Sequence, residues 1–197
     1  EIEKEGIKIL GTATEAIDLA EDRDRFSIVL NELKILQPLN GFANSTEKTI
    51  NIAKNIGYPV LVRPSYVLGG RAMEIAYNED NLKSFAKNAM EASSNNIILV
   101  DQYLENAIEV DVDALCDVSK NVVIGGLMEH IEPAGIHSGD SACCLPSITL
   151  SAESIKTIKH WTKSLAIELD VVGLINLQFA VKRDDEGNEI VYIIEAN

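Results

Sequence analysis

Three short groups of residues carry side chains able to do chemistry on a phosphate-bearing ligand. The first is RPSYVLGGRAME, Arg63 to Glu74. The pair Gly69-Gly70 lets backbone N–H groups approach phosphate oxygens with no Cβ in the way. Arg63, at the end of the preceding apolar run, offers a guanidinium that meets phosphate bidentately. Neither GK[ST] nor GxGxxG occurs here, so this is not a P-loop or a dinucleotide loop. A plain hairpin turn with solvated arginines fits the same residues.

The second group is the C-terminal hairpin. Gln178 lies in the middle of one strand-like run, and Glu195 and Asn197 lie two apart on the next. A period of two puts Glu195 and Asn197 on one face, and a matching register brings Gln178 to them. Three oxygen-bearing side chains on one face suit a hard cation such as Mg²⁺. A solvent-facing polar side of a hairpin is the alternative. However, the neighbours Leu177, Phe179, Ile193 and Ile194 predict a buried hairpin, in which a carboxylate needs a partner.

The third group is AGIHSGDS, Ala134 to Ser141, a polar loop in which His137 could contact a phosphate or ribose, or act in acid–base chemistry. An ordinary surface loop with an incidental histidine reads the same way. Glu109 is a candidate acceptor for ribose hydroxyls, or a member of an exposed face shared with Asp111 and Asp113. Arg23 sits among Glu21, Asp22, Asp24 and Arg25, the pattern of a solvated helical charge cluster.

The elements that must hold these groups follow from periodicity. Residues Ala16 to Leu33 carry Leu19, Phe26, Val29, Leu30 and Leu33 at helical spacing. A helix is predicted after Asn44, with Glu47 closing a capping box, ending at Gly57 ahead of Pro59. Val60–Arg63 and Met73–Tyr77 read as strands around the glycine loop. A helix capped by Asn78 or Asp80 carries Leu82, Phe85, Ala86, Ala89 and Met90. Ile97–Val100 is a further strand. In Ile108–Cys116, Val110, Val112 and Ala114 face one way and Glu109, Asp111 and Asp113 the other. A turn at Asp117–Asn121 leads to a partner strand, Val122–Met128. After a loop-rich stretch, Glu132–Thr149, Ser151 caps a helix carrying Ile155, Ile158, Trp161, Leu165 and Leu169. Leu174–Val181 and Glu189–Ala196 flank the turn DDEGN. Helices mixed with hairpins predict an α+β fold rather than a doubly wound parallel sheet.

The 197 residues suffice for one domain or two small lobes. The net charge of −14 argues against nucleic acid as a partner. No apolar run reaches the ~20 residues of a membrane helix, and no signal peptide is recognisable, so a cytoplasmic protein is expected. Cys116, Cys143 and Cys144 show no CxxC spacing and predict reduced thiols with no catalytic role. The missing initiator Met and the strand-like VYIIEAN at the end point to a fragment of a longer protein.

Taken together and in order, EDRDRF, GYPVLVRPSYVLGGRAMEI, EVDVDALCD, MEHIEPAGIHSGDSACCLP and NLQFAVK…IIEAN resemble the large subunit of carbamoyl-phosphate synthases, from about Gly11 to Asn197. That family's large subunit contains two similar ATP-grasp halves. VLGGRAM and the EHIEPAG ahead of the histidine loop resemble the carboxyl half, which phosphorylates carbamate. The amino half, which phosphorylates bicarbonate, carries a more glycine-rich loop. GGRAM also resembles the glutamine-dependent type.

The resemblance implies an ATP-grasp fold of two lobes with the nucleotide between them. It divides the chain into residues 1–61 as a first, helical part, 62–131 as the lid lobe and 132–197 as a truncated C-terminal lobe. It implies that Arg23 and Arg63 contact ATP phosphates under the Gly69-Gly70 loop. Gln102 and Leu104 fall at the adenine segment, Gln102 standing where the family often has His or Lys. Glu109 matches the ribose acid, and Gly135, Ile136, His137 and Ser138 match an ATP-contacting loop. Gln178, Glu195 and Asn197 match the metal ligands, with Gln178 and Glu195 also touching ATP, and Arg63, Glu195 and Asn197 take the catalytic roles. The cofactors implied are ATP, Mg²⁺ or Mn²⁺, and K⁺. The partners implied are a glutaminase small subunit, the amino-terminal half of the same large subunit and carbamate, with no nucleic acid and no membrane. Another ATP-grasp carboxylate ligase, and a nucleotide-binding module without turnover, are the alternatives.

Overall fold

The computed structural model describes residues 5–7, 9–64, 73–93, 96–134, 136 and 138–197. Its elements are α1 (Thr14–Glu21), α2 (Arg23–Glu32), β1 (Asn40–Ala43), α3 (Thr46–Ile56), β2 (Val60–Pro64), β3 (Glu74–Ala76), α4 (Glu79–Ala92), β4 (Ile98–Gln102), β5 (Ile108–Cys116), β6 (Val122–His130), β7 (Cys143–Cys144), α5 (Ala152–Glu168), β8 (Gly173–Arg183) and β9 (Glu189–Ala196). Helices and two antiparallel sheets make this an α+β protein. Among the described residues, no helix is long and apolar enough to cross a membrane.

The chain forms two compact units. One holds the described residues up to Gln37 together with Asn106–Asn197; the other is Pro38–Glu105. These limits differ from the divisions at 61/62 and 131/132 expected above. The reason is strand pairing: β2 is hydrogen-bonded to β3 and β4, whereas β5 and β6 pair with β8 and β7. Pairing therefore ties residues 106–131 to the C-terminal hairpin.

In the smaller unit the strand order is β1-β4-β2-β3. Val60, Val62, Ala76, Ile98 and Val100 pack against Ala53 of α3 and Leu82, Ala86 and Ala89 of α4. The caps are local. Ser45 Oγ accepts from Lys48 N–H, one residue later than the cap expected at Asn44. Gly57, with φ +89°, supplies the left-handed turn that ends α3, and Asn78 caps α4. On the sheet face turned from the helices, Arg63 Nε donates to Asp101 Oδ2 at 3.0 Å. Burial pushes the Asp101 carboxyl up, and the Arg63 charge and hydrogen bond draw it back part of the way.

In the larger unit the order is β7-β6-β5-β8-β9. One face is apolar: Val110, Val112, Leu177, Phe179 and Ile193 pack on Ile158, Leu165 and Ala166 of α5 and on Phe26 and Leu30 of α2. The single helical run read over Ala16–Leu33 is broken at Asp22, whose carboxylate accepts from the N–H groups of Asp24 and Arg25 and starts a new helix. Both hairpin turns use one device. Asp117 accepts from the N–H groups of Ser119 and Asn121, and Asp184 from those of Glu186 and Asn188. At the start of α5, Glu189 accepts from Ser151 N–H at 2.9 Å and from Arg183 at 3.2 Å. Burial pushes the Glu189 carboxyl up, but the Ser154, Ser151 and Arg183 donors outweigh it and bring it down to about 2.

Two stability predictions follow from these carboxylates. A carboxyl held below its unfolded value stabilises above that value and loses the effect as pH falls. Glu189→Gln should therefore cost about 1–3 kcal/mol at neutral pH. The difference from the parent in urea unfolding should narrow as pH drops from about 5 toward 3. A constant difference would refute the assignment. Asp101 has the opposite sign, because a carboxyl raised by burial is favoured when protonated. Arg63→Met should cost about 1–3 kcal/mol at neutral pH and less near pH ~4. Equal costs at both pH values would show that the pair is not ionic in effect.

Candidate functional site

The face of the larger sheet turned from α5 is polar along three adjacent strands. On β5 it carries Glu109, Asp111 and Asp113; on β8, Asn176 and Gln178; on β9 and just beyond it, Glu195 and Asn197. Register sets Asp111 opposite Gln178 and Asp113 opposite Asn176. Gln178 in turn lies opposite Glu195. Asn197 continues the ladder, exchanging backbone hydrogen bonds of 2.8 and 2.9 Å with Asn176. Asn197 Nδ2 donates to Glu195 Oε1 at 3.3 Å, and Asn176 Nδ2 to Asp113 Oδ1 at 2.8 Å.

Glu195 reaches this face because of a bulge. Phe179 pairs with Ile193 and Gln178 with Glu195, so Ile194 is the unpaired extra residue. Unbroken alternation from Val191 and Ile193, both buried, would send 195 and 197 into the core. With the bulge, Ala196 is buried, while Glu195 and Asn197 are exposed. Ile194, expected to be buried, is 42% exposed.

The oxygens of Gln178, Glu195 and Asn197 form a hard donor set on one side of the sheet, which fits a divalent cation that keeps positions open for phosphate oxygens and water. No cluster of three His, Cys, Asp or Glu suited to a metal occurs among the described residues. A cation here would thus use amide oxygens as well as the carboxylate.

The remaining expected residues are spread over both units. Arg23 is the first residue of α2 in the larger unit, and Arg63 lies on β2 in the smaller. Gln102 ends β4, and its Oε1 accepts from Leu39 N–H at 3.2 Å, so backbone already occupies that side chain. Leu104, just after β4, is buried. Ile136 is exposed, and Ser138 opens a short 3₁₀ turn to Asp140. Gly69, Gly70, Gly135 and His137 lie outside the described residues.

Four members of the polar face were not anticipated as site residues: Asp111, Asp113, Asn176 and His130. Asn176 stands two before Gln178, so period two could have found it. His130 could not be found that way, because its strand was expected to stop at Met128. The loop that follows is anchored by Glu129, a buried carboxylate accepting from Ser147 Oγ at 2.5 Å, from the N–H groups of Ile148 and Thr149 at 3.1 Å, and from Thr149 Oγ1 at 2.6 Å. Burial pushes the Glu129 carboxyl up, but these donors prevail and it lies below its ordinary value. Cys143 lies opposite His130 on β7. Burial, then the charges of Asp111 and Glu132, push its thiol up, which makes it a poor nucleophile at neutral pH.

Comparison with known proteins places this arrangement. The family model described as carbamoyl-phosphate synthase L chain, ATP binding domain, matches residues 22–197. The carbamoyl phosphate synthase large chain of Archaeoglobus fulgidus is 57% identical over 197 residues, covering 100% of this chain and 18% of its own length. The arginine-specific, chloroplastic large chain of Arabidopsis thaliana is 52% identical over 191 residues, covering 97% and 16%. This chain thus spans less than a fifth of the curated relatives it matches. Among solved structures, the biotin carboxylase domain of the Hydrogenobacter thermophilus 2-oxoglutarate carboxylase, in complex with MgADP, ADP and bicarbonate, aligns with TM-score 0.78 at 27% identity. That alignment covers 100% of this chain and 43% of the other. D-alanyl-alanine synthetase A of Vibrio cholerae, at 19% identity and TM-score 0.77 over 100% of this chain and 60% of its own, shares the fold. The fold is that of the ATP-grasp enzymes, and the chain belongs to the family of carbamoyl-phosphate synthase large-chain ATP-binding domains.

Proposed function

We propose that this chain is the ATP-binding core of the carbamate-phosphorylating half of a glutamine-dependent carbamoyl-phosphate synthase. Carbamate and ATP would give carbamoyl phosphate and ADP. The observation that carries this reading is the shared outer face of Gln178, Glu195 and Asn197, two amides and one carboxylate brought together across the bulged β8–β9 pair. The choice of half is supported by VLGGRAM and by EHIEPAG ahead of the histidine loop.

Gln178, Glu195 and Asn197 would hold Mg²⁺ or Mn²⁺, which supplies positive charge to β- and γ-phosphoryl oxygens when bound. The Hydrogenobacter relative, complexed with MgADP, supports that assignment. Arg63 turns its Nε to Asp101, which fixes the guanidinium plane and leaves its terminal nitrogens for phosphoryl oxygens. Glu109 accepts the ribose hydroxyls, and Gly135 to Ser138 line the nucleotide. A carbamate oxygen attacks the γ-phosphorus as ADP leaves. Little covalent help is needed, so the chain's work is alignment and offsetting charge on the transferring group. A glutaminase small subunit and the amino-terminal half of the same large chain would be the partners, in a cytoplasmic enzyme serving arginine or pyrimidine synthesis, with K⁺ as a further cation.

Glu195→Gln in the full-length large chain should lower carbamoyl-phosphate-dependent phosphorylation of ADP by at least ~100-fold. Bicarbonate-dependent ATP hydrolysis should be largely retained. Near-normal ADP phosphorylation would remove Glu195 from the metal site. Loss of the bicarbonate reaction instead would assign the segment to the other half.

A further inference from the structure

The polar face holds a buried group that this chemistry leaves unused. His130, the last residue of β6, lies one position beyond the Val110–Glu129 pair and so beside Glu109 on β5. Its side chain is 2% exposed. Nε2 stands 2.8 Å from Asp111 Oδ2, a full hydrogen bond, and Nδ1 stands 3.5 Å from Glu109 Oε2. The second distance is an ionic contact too long for a good hydrogen bond. Among the described residues, Nδ1 and Asp111 Oδ1 are buried side-chain atoms with no hydrogen-bond partner. A buried ring nitrogen left so close to a carboxylate needs an explanation.

The three side chains are not equivalent. His130 and Asp111 are 2% and 11% exposed, whereas Glu109 is 27% exposed and is the member that reaches outward. Asp111 holds the ring on one edge, and the ring is buried. Glu109 and Asp111 are two apart on one strand and therefore share a face, so a single imidazole spans both. The ring then directs Nδ1 at the more exposed of the two carboxylates. From 3.5 Å, a rotation of that carboxylate would bring Nδ1 within hydrogen-bond reach.

We propose that His130 is a positioning residue whose Nδ1 edge holds the Glu109 carboxylate in the orientation that accepts the 2′- and 3′-hydroxyls of the nucleotide's ribose. This rests on the reading of Glu109 as the ribose acceptor. A free glutamate samples several rotamers, and few present both oxygens to two neighbouring hydroxyls. Holding one of them in advance lowers the ordering cost of binding and sharpens selection for the ribose.

The test uses the full-length large chain and carbamoyl-phosphate-dependent phosphorylation of ADP or 2′-deoxyADP. Glu109→Gln should lower the ADP to 2′-deoxyADP ratio of kcat/KM by about tenfold or more. His130→Gln, which keeps a donor toward Asp111 and none toward Glu109, should lower it comparably, through KM for ADP rather than kcat. His130→Asn, which keeps a donor near the Nδ1 position, should retain most of the ratio. If Glu109→Gln leaves the ratio unchanged, the ribose reading fails and takes this proposal with it. If Glu109→Gln lowers the ratio and His130→Gln does not, the positioning role alone is overturned. Should His130→Gln fail to fold, Asp111→Leu removes the acceptor that holds the ring. The same fall is then expected, and an unchanged ratio overturns the role.

Discussion

A pleated strand sends successive side chains to opposite sides, and the five-stranded sheet turns that parity into a division of labour. One side is apolar and closed by α5 and α2. The other collects Glu109, Asp111, Asp113, Asn176, Gln178, Glu195 and Asn197. A slip of one residue of β5 against β8 would turn Glu109, Asp111 and Asp113 toward the apolar side and expose Val110 and Val112. Burial of the apolar side therefore sets the register, and the register sets the site. The packing that stabilises the unit and the geometry that could hold a ligand are two consequences of one constraint.

That parity is broken at two bulges, one at Gly125 on β6 and one at Ile194 on β9. The extra residue at Ile194 shifts β9 by one position, so that Ile193 and Ala196 both face the core and Glu195 and Asn197 both face outward. The bulge leaves one apolar side chain half in solvent, and it delivers a carboxylate and an amide to the same spot opposite Gln178. Bulges concentrate where a side chain has to be re-aimed, and this one does that at the most polar point of the sheet.

Elsewhere in the chain, charged groups are tied down rather than left to water. Glu129 gathers four donors from residues 147–149 and so fixes the return of the loop that starts after His130. Glu189 does the same at the start of α5. Arg63 and Asp101 form a comparable anchor in the smaller unit.

Most elements could be read from local rules. Alternation in Ile108–Cys116 announced β5 and its two faces, Ser151 and Asn78 announced their helices, and Asp117–Asn121 and DDEGN announced the hairpins. Local rules lost where two signals overlapped. Asp22 reads as one more charge in a helical run, yet its carboxylate caps a second helix. β1, Asn40–Ala43, has too little apolar pattern to be seen and exists because β4 pairs with it. Among the site residues, Gln178, Glu195 and Asn197 were legible as a spacing of side chains able to bind a cation. Their common face was reachable only by assuming unbroken alternation between them, an assumption that also predicts a buried Ile194. The sequence by itself determined the residue types, the hairpins and the apolar side of each strand, because these depend on neighbours within a few positions. Only the tertiary structure decided the phase of β9 at its bulge, the extension of β6 to His130 and the meeting of that imidazole with two carboxylates. Those depend on which strands pair, and pairing is settled by the core as a whole.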